Sequence, residues 1–171
     1  MSQMQSGSSA SQIVGKSVAT TLKNIELEVS ARTYRASNLL RNASLIVLRG
    51  QRSGRRYKVP HTYKRQRDKA SGKMRNGVYY TASAPGEAPA VRTGAFRTSW
   101  NTHIHVEKNG VHFRAVAAIQ SNLKVGKGRH LLGDILEQGT VRMAPRPYKQ
   151  AVVDRALPDI KALYQKPYKP K

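Results

Sequence analysis

"THIHVEKNGVHF", residues 102–113, alternates polar and apolar side chains up to Asn109-Gly110 and resumes the alternation beyond it. Period-two alternation belongs to a half-buried strand. Asn-Gly between two such runs is the strongest short hairpin signal, because both residues tolerate the positive φ of a tight turn. The stretch predicts an antiparallel hairpin over 102–119. With Asn109 and Gly110 as its loop, Lys108 would pair with Val111, Val106 with Phe113 and Ile104 with Ala115. Ile104, Val106, Phe113 and Ala115 then face the core, and His103, His105, Glu107, His112 and Arg114 face away. Three imidazoles on one face raise the question of zinc. The same register sets Arg114 opposite His105 and Glu107 opposite His112, which is an ordinary charged surface. No metal or other cofactor is expected.

Helical patterns flank the hairpin. From Ser11 to about Arg49, Ile13, Val18, Leu22, Ile25, Val29, Ala36, Leu40, Ala43 and Val47 recur at three- and four-residue steps, so a long amphipathic helix is predicted. Ser9 or Ser11 can cap it, Gly50 can end it, and any kink belongs at Arg32 and Arg35, which interrupt the stripe. At 1.5 Å per residue such a helix is roughly 50–60 Å long, more than the diameter of a small domain, so a break or an overhang is predicted. Near the C-terminus, Ala151, Val152, Ala156, Ile160 and Leu163 mark a second helix, bent or restarted at Pro158. The fold class is therefore α+β: a long N-terminal and a C-terminal helix packed on a small, mostly antiparallel sheet that contains the hairpin.

The chain has 171 residues, which is room for one core. Aromatics make up only 6% of it, so that core is expected to be built mainly from Val, Ile, Leu and Ala. There are no cysteines, which excludes disulfides, thiolate metal sites and thiol nucleophiles. No apolar run approaches the roughly 20 residues that span a bilayer, and "MSQMQSGSSASQ" lacks the features of an export signal. Residues 1–10 are expected to form a flexible arm, 11–165 a single domain and 166–171 a basic, extended tail.

Net charge is +22, and a surplus of that size points to an anionic partner. Arg52, Arg55, Arg56, Lys58, Lys64, Arg65, Arg67, Lys69, Lys73 and Arg75 all lie between residues 51 and 78, against the single acid Asp68. Gly54, Pro60, Gly72 and Gly77 punctuate this segment, and strand-like pieces at 57–63 and 78–82 make 51–82 an extended basic hairpin excursion. Tyr57, Tyr63, Tyr79 and Tyr80 interleave with the cations. That pattern suits base stacking and phosphate contact, and equally a solvated or protein-docked hairpin. The ten basic residues are candidates for contact with DNA or a neighbouring protein.

Other stretches carry weaker signals. Gly126-Lys127-Gly128 lacks the spacing and the Lys-Ser/Thr ending of a phosphate-binding loop, so residues 121–130 are expected to be a mobile connection. Asp134 and Glu137 form the only close acidic pair in their region, without a serine or histidine partner for acid–base or nucleophilic chemistry. No catalytic residue is assigned. "SAPGEAPAVRTGAF", residues 83–96, is a strap whose Pro85 and Pro89 fix φ and reduce the chain entropy lost on ordering. Gly86 permits a turn, Thr93 can cap a short helix in "GAFRTSW", and Phe96 and Trp100 fall on one side of it. Gly139 can turn the chain sharply after Leu132, Ile135 and Leu136.

Taken in order, "RSGRRY", "YTASAPGEAPAVRTGAFRTSW", "LEQGT" and "APRPYKQAVVDRAL" resemble the neck or tail-completion family of long-tailed bacteriophages. The resemblance runs from about Ser53 to Leu157. It rests on Ser53, Gly54 and Tyr57; on the strap with Pro85, Gly86 and Pro89; on Thr93, Gly94, Arg97, Ser99 and Trp100; and on Glu137, Gly139, Thr140, Arg146, Pro147 and Tyr148. Phe96 stands where the family usually has leucine, Gln138 where it has an aromatic, and the stretch from Tyr57 to Tyr79 is long and unusually basic. The resemblance implies a non-enzymatic virion protein of the head–tail neck, a head–tail connector assembled in the host cytoplasm. It implies a homo-oligomeric ring of six or twelve copies around the DNA passage. The implied partners are further copies, adjacent head-completion or connector proteins, tail-terminator or tail-tube proteins and, non-specifically, packaged DNA, with no membrane. The competing expectation is a sequence-tolerant nucleic-acid-binding protein outside the virion.

Overall fold

A computed structural model of the chain describes residues 10–49, 53–58, 79–91, 93–110, 112–127 and 129–168. Helix and strand are mixed as the α+β reading expects. The order is α1 (Ala10–Val47), β1 (Arg56–Lys58), β2 (Tyr79–Thr81), α2 (Ala95–Thr98), β3 (Trp100–Asn109), β4 (His112–Ser121), β5 (Lys124–Val125), β6 (His130–Leu131), α3 (Leu132–Gln138) and α4 (Lys149–Gln165). Among the described residues the strands pair as three separate antiparallel two-stranded sheets, β1 with β2, β3 with β4 and β5 with β6, rather than as one.

Helix α1 contains no proline and one glycine across 38 residues, and it runs unbroken through Arg32 and Arg35, where a kink had been expected. Its two halves differ. In the second, Thr33, Ala36, Ser37, Ala43 and Ser44 are buried. These small side chains let α4 and the hairpin approach closely. The hydroxyls donate to carbonyls of their own helix, Thr33 to Val29 at 2.8 Å, Ser37 to Tyr34 at 2.8 Å and Ser44 to Arg41 at 2.7 Å, so their burial leaves no polar group unmatched. In the first half every residue from 10 to 23 is exposed. Ile13, Val14, Val18, Leu22 and Ile25, most of them expected to face a core, are 42–60% accessible. A helix of about 57 Å outruns the body that covers its second half.

The hairpin forms with a shifted register. Asn109 pairs with His112, Val106 with Ala115 and Ile104 with Ala117, so the loop lies one residue later than predicted. Gly110, at φ 57°, leads the turn while Asn109 remains in the ladder. Moving the loop by one residue moves every partner by two, which preserves parity and hence the two faces. The inner face is less covered than expected. Phe113 and Ala115 are half-buried, whereas Ile104 and Val106 remain 41% and 42% exposed. Lys108 Nζ reaches Glu26 Oε1 at 2.6 Å and ties the hairpin's far end to α1. Within the stretch 121–130, expected as a mobile connection, Lys124 and Val125 instead pair with Leu131 and His130 as the β5–β6 ladder, with Gly126 and Lys127 at φ 63° and 57° after β5.

The core lies where α1, α4 and the base of the hairpin meet. It consists of Ala43, Leu48, Trp100, Tyr148, Val152 and Ala156, with Leu40, Val47, Phe96, Ile119, Leu136 and Ile160 packed against it. Most of these residues are Val, Ile, Leu and Ala, as expected, but three aromatics join them at the centre. Phe96, Trp100 and Tyr148 form a triangle of edge-to-face rings with centroids 5.5, 5.6 and 5.8 Å apart. Each such pair is worth about 0.5–1.5 kcal/mol beyond its area. The Trp100 indole N–H is buried without an acceptor among the described residues, so packing takes precedence over polar satisfaction here. Burial, followed by the Glu137 and Asp134 carboxylates, holds the Tyr148 phenol well above the ordinary tyrosine range. Its neutral form is thus the folded one, and the stability it contributes, present below that range, is lost as pH rises through the raised value.

Arg32, marked in the sequence as an interruption, is 3% exposed and clamps the C-terminal segment. Its guanidinium donates to the carbonyls of Lys166 and of Pro167, the latter at 2.9 Å, pairs with Glu28 at 3.0 Å and lies 4.0 Å from the Tyr168 ring centre. Thr33 Oγ1 and Tyr164 Oη share a hydrogen bond of 3.1 Å. Helix α4 passes through Pro158 without a break.

Gly133 offers a test of the core. A Cβ at this position would lie 2.7 Å from the Tyr148 hydroxyl. Gly133→Ala is expected to lower stability by about 1–3 kcal/mol despite alanine's better helix propensity. In a Tyr148→Phe background, denaturant melts should show that cost largely removed, and equal costs in both backgrounds would contradict the assignment.

Candidate assembly surface

The strap is held from both sides. On one side Gly54 N–H donates to Ala82 O at 2.9 Å and Ala82 N–H to Arg55 O at 3.0 Å, continuing the β1–β2 ladder toward residue 83. A Cβ on Gly54 would come within 2.5 Å of Ser83 O, so only glycine permits this approach. Ser53 Oγ donates to Glu87 Oε1, and Ala84 N–H donates to Glu87 Oε2 at 2.7 Å. On the other side Gly86 N–H donates to Pro145 O at 3.1 Å, and Arg146 Nη1 donates to Ser83 O at 2.6 Å and to Ser83 Oγ. Gly86 sits at φ 81°, Pro89 is buried and Pro85 is exposed. The "RSGRRY", "SAPGEAPA" and "APRPY" pieces therefore converge.

The remaining motif residues extend the same cluster. Gly94, at φ 82°, precedes α2, and Thr93 Oγ1 accepts from Ala95 N–H at 3.3 Å, so Thr93 caps one residue ahead of the formal N-cap. Arg97 Nε donates to Leu45 O at 2.8 Å, fastening α2 to α1. Gly139, at φ 77°, leaves no room for a side chain, since a Cβ would lie 2.6 Å from Met143 O. Thr140 and Met143 exchange backbone hydrogen bonds of 2.8 and 3.1 Å, which close the turn. The acidic pair is structural. Glu137 Oε2 accepts from Tyr148 N–H at 3.0 Å and Lys149 N–H at 3.3 Å, capping α4 from a distant residue, and Asp134 pairs with Lys149 at 3.4 Å. Pro147 is exposed between them.

Of the ten basic candidates, Arg55, Arg56 and Lys58 are described. Arg52, Lys64, Arg65, Arg67, Lys69, Lys73 and Arg75 lie outside the described residues, as does Tyr63. In β1–β2 the rings of Tyr57 and Tyr80 stack at 5.7 Å, while Arg56 lies 4.8 Å from the centre of Tyr79 and Arg55 5.6 Å from that of Tyr57. The interleaved tyrosines and arginines thus stack on one another. On the hairpin's outer face Glu107 faces Arg114 at 3.5 Å and takes His105 at 3.1 Å, and His112 pairs with Asn109. Among the described residues there is no cluster of potential metal ligands, and no helix is long and apolar enough to cross a membrane.

Of two further surfaces, the first was expected from the sequence only as a break or an overhang of the long helix, and the second was not expected at all. One is the uncovered half of α1, where Val14, Val18, Leu22 and Ile25 form a stripe, Ile13 is exposed on another side, and the only ionisable residues over 10–31 are Lys16, Lys23, Glu26 and Glu28. The stripe was legible as helical, but sequence periodicity does not distinguish a face covered by its own chain from one that is not. The other is a groove of about 780 Å³ between the strap, α2, α3 and the turn after Gly139. It had no sequence signal, because its walls come from six separate segments. Comparison with family models, curated proteins and solved structures returned no match.

Glu87 makes the strap testable by pH. The Ser53 hydroxyl and the Ala84 N–H, with smaller help from Ser53 N–H and Arg146, lower its carboxyl below the ordinary glutamate range against a small opposing desolvation. A lowered folded pKa means that the stabilisation is present above the ordinary range and is lost as pH falls through the lowered value. The melting-temperature gap between the wild type and Glu87→Gln should be open at neutral pH and close on acidification through that window. A gap independent of pH would contradict the assignment.

Proposed function

We propose that this chain is a non-enzymatic head–tail connector protein of a long-tailed phage virion, assembling as a homo-oligomeric ring at the neck around the DNA passage. The observation that carries this reading is the uncovered half of α1. A stripe of four large aliphatic side chains, Val14, Val18, Leu22 and Ile25, on a free-standing helix is apolar surface awaiting a partner. Its local charge is balanced, with two lysines and two glutamates over residues 10–31, while the whole chain carries +22. Copies that repel one another elsewhere can meet along this arm at little electrostatic cost. The resemblance of the strap and its flanking motifs supplies the biological setting, and the convergence of those motifs on one rigid cluster suits a protein that must hold an assembly surface in one shape. In this setting the basic segment, with Arg55, Arg56 and Lys58 at its base, docks on an adjacent ring or lines the passage.

Ring assembly tests the reading. Purified protein, alone or with the neighbouring particle proteins, is expected to give closed rings of six or twelve copies by negative-stain imaging. Val18→Glu with Leu22→Glu should leave the monomer's melting temperature nearly unchanged, because both positions are exposed, and should abolish rings and head–tail joining. Full joining by this variant would overturn the proposal.

The exposed Arg56–Tyr79 stack favours one alternative, a sequence-tolerant nucleic-acid-binding protein outside the virion. That reading requires tight DNA binding with a steep log–log salt dependence reflecting several phosphate contacts. A shallow dependence and weak binding by the isolated protein would remove it.

A further inference from the structure

We infer that the groove beside the strap is a docking site for an acidic peptide segment of another protein, held by apolar anchors in its floor and carboxylates at its rim. Its volume of about 780 Å³ lies within the range of built ligand sites. The floor is apolar, with Leu48, Phe96, Leu132, Leu136 and Met143. The rim is cationic, with Arg55, Arg97, Arg142 and Arg146, and no aspartate or glutamate lines the groove. Two of these cations are fixed before any partner arrives, Arg146 by its bonds to Ser83 and Arg97 by its bond to Leu45 O. Preset guanidinium groups lower the ordering cost of binding a carboxylate and favour bidentate contact. The strap's rigidity then has a purpose, since residues 83–91 form one wall of the groove and must hold it open.

Charge identifies the occupant's class. The chain's own residues 59–78 carry six lysines and arginines with His61 and one acid, so the arginine rim repels them. A second copy offers no free acidic patch, because every described carboxylate except Asp159 already accepts a hydrogen bond or ion pair within its own chain. A nucleic-acid backbone would satisfy the rim but leave the apolar floor uncovered, whereas an acidic segment with leucine or phenylalanine side chains satisfies both. The inference is independent of the neck reading, and failure to form rings would leave it standing.

Fluorescence anisotropy on the full chain at near-physiological salt tests it with three labelled probes. These are an acidic peptide with leucine and phenylalanine anchors, an all-glutamate peptide of equal length and net charge, and a single-stranded oligo-dT. The anchored peptide is expected to bind about tenfold tighter than either of the others. Arg142→Glu, and separately Ala144→Glu at the exposed rim, should weaken it about tenfold, while Arg155→Glu, the same charge change as the first on α4 outside the groove, should alter it less than about twofold. Circular dichroism checks that each variant is folded. Equal binding of the all-glutamate peptide, equal or tighter binding of oligo-dT, or an equal loss in Arg155→Glu would each overturn the proposal.

Discussion

The short α2, the base of the hairpin and the start of α4 are brought together by the meeting of Phe96, Trp100 and Tyr148. The three rings come from the short α2, the first residue of the hairpin and the N-cap of α4, and each contacts the other two edge to face. A chain with few aromatics and a large like-charge excess cannot spread its hydrophobic surface widely. It concentrates three of its eleven rings at one junction, and the small residues Ala36, Ala43 and Ala156 let α1 and α4 close around it. The triangle also explains why the strap ends where it does. Residues 83–91 deliver the chain to α2, and the Pro145–Tyr148 segment grips the strap through Gly86 and Arg146 while Tyr148 enters the core. Strap and core are therefore one unit, joined over the four residues Pro145–Tyr148.

A second constraint comes from counter-charges. With 31 lysines and arginines against nine acids, most cations have no carboxylate to pair with. The fold uses backbone carbonyls instead. Arg32 donates to Lys166 and Pro167, Arg41 to Trp100, Arg97 to Leu45 and Arg146 to Ser83. Each of these bonds ties one element to another far along the chain, and each is charge-assisted, which makes it stronger than a neutral hydrogen bond. Arginine suits this role because its fork reaches two acceptors at once and its charge persists on burial. The scarce carboxylates are correspondingly spent at specific joints, Glu137 on the start of α4 and Glu87 on the strap.

Local signals were read well from the sequence and long-range ones poorly. The hairpin, both long helices and the turn at Gly139 follow from periodicity and glycine placement, which depend on near neighbours alone. The hairpin register was missed by one loop residue because Asn109 and Gly110 compete for the turn, and only the glycine takes positive φ. The mainly aliphatic core followed from composition, but the gathering of three aromatics did not, because abundance does not predict location. Arg32 was visible as an irregularity in the helical stripe, but its carbonyl partners lie more than 130 residues away, beyond any local pattern. Within the candidate surface, the strap and its flanking motifs were legible as strings. Their convergence and the groove they enclose are tertiary facts.

The long helix links these constraints. Its buried half is lined with alanine, serine and threonine, residues that fit a tight interface but supply little apolar area. Its free half carries the larger isoleucine, valine and leucine side chains. A monomer optimised for its own stability would reverse this arrangement and place the large aliphatic residues where α4 could cover them. The observed order instead gives the body a compact seam and leaves the stronger hydrophobic driving force at the projecting end, on the stretch of α1 where charge is balanced. Helical rigidity over about 57 Å carries that end away from the positively charged body. Cohesion within the chain thus rests on rings and arginine–carbonyl bonds, and the aliphatic burial left over is directed outward.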